Sequence, residues 1–449
     1  MADLETADAL EVATMGKVMR RILPLVLLCY FCAIMDRANV SFAAARMNAE
    51  LGFSLTVYGL GGSMFFLGYA LFEIPSNLAA QRTGARAWLA RIMITWGLLS
   101  AAMMLVRSPM QFYALRFLLG VAEAGFYPLV ITYFARWFPA SWRSRAVSRF
   151  YVATPLAALV MGLVSPPLLG LDGRLGLAGW QWLFLAQGLP TVVVGIVVVF
   201  TLPERPAAAG WLDPAERDWL AQALAREAAR IGEPTGHNPF VVLRNPAMLL
   251  MALCGGLLIG VTNAFITSAP LILGERTGFD TTHVGYLVAA GGILGAVTMI
   301  AIGEQSDRGG DRWLNALRLV LLLGMGFLGM ALLPGATGVI LAYLAYAVSV
   351  FTVAMLTSSG WADFIHPREL AVGSAAINSL SQLTAFAFTS MWGVVRDASG
   401  SYVVGLVVFG SLCFVNAALI GRIRRRVLAI RARPLPEIAG EVGGEPALA

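Results

Sequence analysis

Four charged side chains stand inside stretches otherwise suited to lipid. Asp36 and Arg37 lie in "CYFCAIMDRANVSFAA", and Arg116 and Glu123 in "RFLLGVAEAGFYPLV". A charge near the middle of a bilayer costs about 2.5–3.5 kcal/mol on insertion scales, so keeping four of them calls for a use. The planar fork of Arg37 suits a carboxylate. Asp36 and Glu123 are balanced between burial, which favours the neutral acid, and nearby guanidinium groups, which favour the ion. An acid balanced in this way can take a proton when its partner moves or binds substrate. Arg116 and Glu123 are seven residues apart, so they share one helix face two turns from each other. Two acids and two bases sum to no net charge. That set fits a carrier that binds an anion and moves a proton. A static ion-pair network is the alternative, but apolar packing of the same volume is usually no less stable than a buried pair.

The elements that would hold these residues are spanning helices. The chain has 449 residues, 58% of them hydrophobic and 13% charged, where a soluble domain has about a quarter charged. A helix needs about 20 apolar residues to cross the hydrocarbon. Twelve segments qualify: 20–43, 57–80, 88–106, 111–135, 147–169, 181–202, 246–273, 283–303, 313–332, 337–361, 371–392 and 401–421. The first follows Arg20-Arg21 and lacks a small-residue cleavage site, so it is expected to stay as a span. The expected class is an all-α membrane protein of two six-helix bundles, residues 20–202 and 246–421. A segment 1–19, a linker 203–245 and a tail 422–449 complete it. Placing both termini in the cytoplasm puts 25 of the 32 Lys and Arg at that side, five outside, and Arg37 and Arg116 within spans. Basic loops also account for the sequence pI near 9.3, so no nucleic-acid partner is expected. In the linker, Asp213-Pro214 can start a helix whose Leu220, Leu224, Ala228 and Ile231 share a face. It is read as a surface tether between the bundles.

An internal repeat supports the division. "NLAAQRTGARAW" follows the second span and "GEQSDRGGDRWL" the eighth. Asn77, Gln81, Arg82, Gly84 and Arg86 match Gly303, Asp307, Arg308, Gly310 and Arg312, at one constant offset. Parallel repeats place a substrate site between them near the midplane. The pattern G-x-x-x-D-R-x-G-x-R resembles the loop signature of the major facilitator superfamily. The second copy is intact, and the first has Asn77 for Gly and Gln81 for Asp. The resemblance implies a gating role for Arg82, Arg86, Asp307, Arg308 and Arg312.

"DRANVSFA", "GYALFEIPSN" and "RFLLGVAEAGFYPLVITYFARWFPASWRSRA" resemble the anion:cation symporter family. That family includes bacterial permeases for sugar acids, tartrate and aromatic acids, and it is similar to the vesicular glutamate and sialic acid carriers. The resemblance implies that Arg37 binds the substrate carboxylate, that Asp36 and Glu123 couple to protons, and that Arg116 assists them. Sugar-acid members often carry a Tyr shortly before the Asp-Arg pair, whereas Ile34 and Met35 stand here. This favours a less hydroxylated or an aromatic acid. In the second half, "SSGWADF" and "INSLSQL" resemble substrate-facing stretches. Ser358, Trp361, Asn378 and Gln382 are therefore expected at the substrate, with Tyr69 as a cavity aromatic. Helix–helix hydrogen bonding is the plainer reading of these polar groups. Glu73, nearer the cytoplasmic end, is assigned to an inner gate.

Other classes fit less well. His237, His283 and His366 lie in loops or at helix ends, and neither H-E-x-x-H nor G-x-S-x-G occurs, so no enzyme, metal or cofactor is expected. Cys29, Cys32, Cys254 and Cys413 lie in apolar runs and read as small core residues rather than disulfides. An exporter of cationic drugs would favour acids over two buried arginines. The expectation is a proton-coupled symporter importing a small organic carboxylate, acting as a monomer. Lys17 is the single lysine among 32 basic residues, which points to a GC-rich bacterial genome and an inner membrane. An efflux antiporter of the same fold is the near alternative, and a transport-inactive receptor is the alternative from another class.

Overall fold

A computed structural model describes residues 2–231, 246–308, 311–360 and 370–431. They form helices joined by short turns, and no strand occurs among them. In chain order these are α1 Ala2–Leu51, α2 Leu55–Thr83, α3 Ala85–Ala102, α4 Pro109–Glu123, α5 Phe126–Ala135, α6 Ala140–Tyr151, α7 Ala153–Leu169 and α8 Gly179–Thr201. The helix α9, Pro214–Ile231, lies in the linker. Then follow α10 Pro246–Thr277, α11 Thr281–Asp307, α12 Arg312–Leu332, α13 Gly335–Ser359, α14 Leu370–Ser399 and α15 Val403–Arg431.

Among the described residues, eleven helical segments are long and apolar enough to cross a membrane. They coincide with eleven of the expected spans. The remaining expected span falls on α14, which is long enough at 30 residues but richer in polar side chains. Two ends run further than expected. The segment before residue 20 continues α1 as helix, and α15 extends to Arg431. On α8, Leu189, Val193, Ile196 and Phe200 share an exposed face, an arrangement costly in water and matched to lipid tails.

Helices before the linker pack on one another, α3 on α8 and α2 on α4. Those after it do the same, α12 on α13 and α15, and α10 on α14. Two main seams join the sets, α2 along α14 and α7 along α11, and α1 also meets α10. In expected span order these are second with eleventh and fifth with eighth, so exchanging the sets maps one seam onto the other. Duplicated units related by a two-fold axis give this pattern. Glycines make the seams tight: a Cβ on Gly393 would lie 2.1 Å from the Leu55 carbonyl oxygen, and one on Gly162 would lie 2.2 Å from that of Gly285.

The linker helix α9 starts at Pro214, and Glu216 reaches back to accept from the Asp213 N–H at 2.9 Å. Leu220 on its apolar face is buried. Its described ion pairs run to the first set, from Lys17 to Asp213 and Glu216 and from Arg143 to Glu227. They anchor α9 to one set of helices.

Candidate functional site

Two glycines set the spacing of the charged site. Where α2 and α4 cross, a Cβ on Gly120 would lie 2.0 Å from the Phe65 carbonyl oxygen, and one on Gly68 would lie 2.3 Å from that of Phe117. Only bare backbone allows this approach. It brings Arg116 and Glu123 of α4 against the Phe65–Tyr69 face of α2.

The fourth span is not one unbroken helix, as 111–135 was expected to be. α4 stops at Glu123, Gly125 takes φ 84°, and α5 begins at Phe126. That left-handed conformation suits glycine, which has no Cβ to clash. The freed carbonyls find donors. Ser76 Oγ donates to the Ala124 oxygen at 2.6 Å and accepts from Trp88 Nε1 at 2.9 Å. Arg91 Nη1 donates to the Ala122 oxygen at 3.4 Å. Buried backbone in a spanning segment needs such partners.

Arg37 and Glu123 form a direct ion pair. Arg37 Nε and Nη2 both donate to Glu123 Oε1, at 2.8 and 2.5 Å. The Glu123 side chain is 0% exposed and that of Arg37 is 25% exposed. The other carboxylate oxygen, Glu123 Oε2, is buried and has no described partner. The Arg37 guanidinium lies 5.3 Å from the ring centres of both Phe65 and Tyr69. Arg116, which is buried, lies 5.0 Å from the same Phe65 ring, and its Nε lacks a described partner. Two cations thus share one aromatic ring.

Asp36 serves a different neighbour. Successive residues on a helix point about 100° apart, so Asp36 faces α3 while Arg37 faces α2 and α4. Asp36 Oδ2 accepts from Trp96 Nε1 at 2.7 Å, and Oδ1 accepts from Asn39 Nδ2 at 2.9 Å and from the Ser100 hydroxyl. Arg116 acts on Asp36 through space, without an ion-pair contact. The four charges are therefore one ion pair, one caged carboxylate and one aromatic-stacked arginine.

Other expected residues fall as follows. Tyr69 is buried beneath Arg37. Asn378 Nδ2 and Ser379 Oγ both donate to the Glu73 carboxylate, to Oε1 and Oε2 respectively, each at 2.6 Å. Gln382 is buried, and its Oε1 has no described partner. Ser358 lies near Tyr151. Trp361 lies outside the described residues.

Sequence reasoning missed an aromatic floor. Tyr30, two turns before Arg37 on α1, stacks on Phe150 at 4.2 Å, and Tyr127 hydrogen-bonds Tyr151 at 2.7 Å. The seven-residue spacing of Tyr30 and Arg37 was a usable signal. So was the four-residue spacing of Trp96 and Ser100.

The repeated loops close in two ways. After α2, Gly84 takes φ 93°, and Glu204 accepts from the N–H groups of Ala85 and Arg86 at 2.8 and 2.9 Å. Glu204, from beyond α8, thus caps α3 and lies 3.5 Å from Arg136. After α11, Asp311 caps α12 by accepting from the Leu314 N–H at 2.9 Å and pairs with Arg424 at 2.6 Å. Partial burial disfavours its charge, yet the Arg424 bond and the helix N–H groups hold the Asp311 carboxyl below the usual carboxylate range. Arg82, Arg86 and Arg308 are exposed, and Arg308 pairs with Glu304 at 3.4 Å. Arg312 is half-buried, and the Asp307 side chain lies outside the described residues.

Comparison with known proteins agrees with this architecture. The family model described as Major Facilitator Superfamily matches residues 26–389. A relative from Agrobacterium vitis named "Putative tartrate transporter" is 38% identical, covering 96% of this chain and 98% of its own. The "Quinolone resistance transporter" of Acinetobacter baumannii is 34% identical over 86% of this chain and 89% of its own. Among solved structures, an inward-facing, unoccupied bacterial homologue of the human lysosomal transporter Spinster gives a TM-score of 0.73 at 17% identity, covering 93% of this chain and 99% of that one. A helical core whose seams exchange under internal duplication, and a family match over most of its length, make this chain a multi-pass transporter of the Major Facilitator Superfamily.

Proposed function

We propose that this protein is a proton-coupled symporter that imports a small organic carboxylate by alternating access. The observation that carries the reading is the half-satisfied ion pair: Arg37 is partly exposed, while Glu123 is fully buried with one oxygen that has no partner among the described residues. An incoming carboxylate competes with Glu123 for the two N–H groups of Arg37. A displaced, buried Glu123 would be an uncompensated charge, which costs several kcal/mol. Taking a proton, for which Oε2 has no competing partner among the described residues, removes that charge. Substrate and proton then enter together. Asp36, caged by neutral donors near Arg116, is the second coupling acid. Tyr69, Ser358, Trp361, Asn378 and Gln382 complete the substrate site, and Arg82, Arg86, Asp307, Arg308 and Arg312 serve the gates.

The same reading takes α14 as a twelfth span, residues 20–202 and 246–421 as the two bundles, both termini as cytoplasmic, the protein as a monomer, and the bacterial inner membrane as its place. A relative named for tartrate transport agrees with a carboxylate substrate. The test is uptake of tartrate, gluconate or benzoate into proteoliposomes under an imposed pH gradient. Glu123→Gln is expected to lose pH-driven accumulation but keep counterflow exchange. Normal accumulation by that variant overturns the assignment. The relative named for quinolone resistance keeps efflux as the second reading, and solute accumulation only under an outward-directed cycle would favour it.

A further inference from the structure

The helix α2 carries a third buried acid that the charged site leaves unused. Glu73 is 0% exposed. Its described carboxylate partners are both neutral and both come from α14: Asn378 on one oxygen and Ser379 on the other, each at 2.6 Å. The contact therefore spans the α2–α14 seam between the two sets of helices. Away from their ends, the elements packed against α2 carry Asp36 and Arg37 on α1, Arg91 on α3, and Arg116 and Glu123 on α4; further charges lie nearer helix ends, among them Arg20, Arg21 and Arg46 on α1, Arg86 on α3, and Arg396 and Asp397 at the far end of α14. Tyr127 and Tyr133 are the titratable groups on α5. Of these, Arg37 is the group that acts on Glu73 electrostatically, and Tyr69, one turn earlier on α2, is its titratable neighbour. Arg37 thus holds two acids, Glu123 by contact and Glu73 through space.

We propose that Glu73 is a further proton-carrying carboxylate of the transport cycle, beside Glu123 and Asp36, released from α14 when it is protonated. This rests on the symport reading above. An ionised carboxylate is bound well by two donors. It is costly when those donors leave it in an apolar seam. Separating α2 from α14 removes both donors in one movement. Substrate binding at Arg37 also screens a cation that favours the ion. Both events push a proton onto Glu73, where it neutralises the charge and lets the seam part. The proton comes from the aqueous phase and returns to it when the seam closes again, so the step needs no other reactant. Glu73 acts through its α14 partners and Arg37, as a positioning and coupling residue.

The experiment measures protons carried per tartrate in proteoliposomes, from the pH gradient at which net flux reverses. The ratio is read per tartrate moved, so a misfolded fraction does not enter it. Glu73→Gln keeps an acceptor for Asn378 and a partner for Ser379 but cannot titrate. It is expected to carry one proton fewer per tartrate than the wild type. An unchanged ratio overturns the proposal. If Glu73→Gln moves no tartrate, Ser379→Ala decides: losing one donor to the ion is expected to move the pH profile of tartrate exchange about one unit to the alkaline side. An unmoved profile overturns the proposal as well. A wild type that moves tartrate without protons is the separate result that removes the symport reading itself, and this inference with it.

Discussion

Arg37→Lys is the substitution whose consequence follows most directly from the geometry. Lysine keeps the positive charge but replaces a two-pronged edge with a single ammonium. In the structure two N–H groups converge on Glu123 Oε1, at 2.8 and 2.5 Å. The same edge is the one a substrate carboxylate would meet. Losing one charge-assisted hydrogen bond costs about 1.5–3 kcal/mol. The Arg37 side chain is 25% exposed, so the contact is not fully enclosed by protein, and the lower end applies. Weaker stacking on Phe65 and Tyr69 adds about 0.5–1 kcal/mol. The total, about 2 kcal/mol, corresponds to roughly a thirtyfold weaker apparent affinity. The assay is the concentration dependence of tartrate uptake into proteoliposomes, with Arg37→Ala as the expected complete loss. A half-saturation for Arg37→Lys within about threefold of wild type would refute the argument that the fork reads the carboxylate.

Three further outcomes are expected. Gly120→Ala forces a Cβ against the Phe65 carbonyl, which would lie 2.0 Å away, and should lower the stability of detergent-solubilised protein by at least about 1–3 kcal/mol; an unchanged thermal midpoint would show that α2 and α4 can separate freely. Trp96→Phe removes the donor 2.7 Å from Asp36 and should cost about 1.5–3 kcal/mol of stability, read in the same thermal assay, whereas a neutral result would mean that Asp36 is not ionised in the resting protein. Asp311→Asn loses the partner of Arg424 and should destabilise by about 1 kcal/mol near neutral pH. Because the folded protein holds the Asp311 carboxyl below its usual range, this contribution is complete above the unfolded value near 3.9 and is lost as pH falls through the lower folded value. The difference between wild type and variant should therefore narrow in acid, and a gap that stays constant or widens in acid would contradict it.

Much of this protein was legible from its chain because lipid imposes a one-dimensional rule. An apolar run long enough to cross must be helical to satisfy its own backbone, so eleven spans could be located by composition and length. The same rule makes a charge inside a run conspicuous, so Arg37, Asp36, Arg116 and Glu123 were visible without coordinates. The repeat at one constant offset pointed to two related sets, and the exchangeable seams agree with that expectation. Partner choice was not visible in this way, because it depends on which helix faces which and on rotations about each axis. Tertiary structure decided that Glu123, not Asp36, bonds Arg37, and that Asp36 turns to Trp96 and Ser100. It decided that α4 breaks at Gly125, where Ser76 and Arg91 satisfy the carbonyls that the break exposes. It also decided that Glu73 meets Asn378 and Ser379, more than three hundred residues away. Sequence fixes what each helix can offer to its neighbours. The bare glycines at the crossings, Gly68 and Gly120 between α2 and α4 and Gly162 on Gly285 between α7 and α11, decide which offers meet, because hydrogen bonds form only where backbones are allowed to approach.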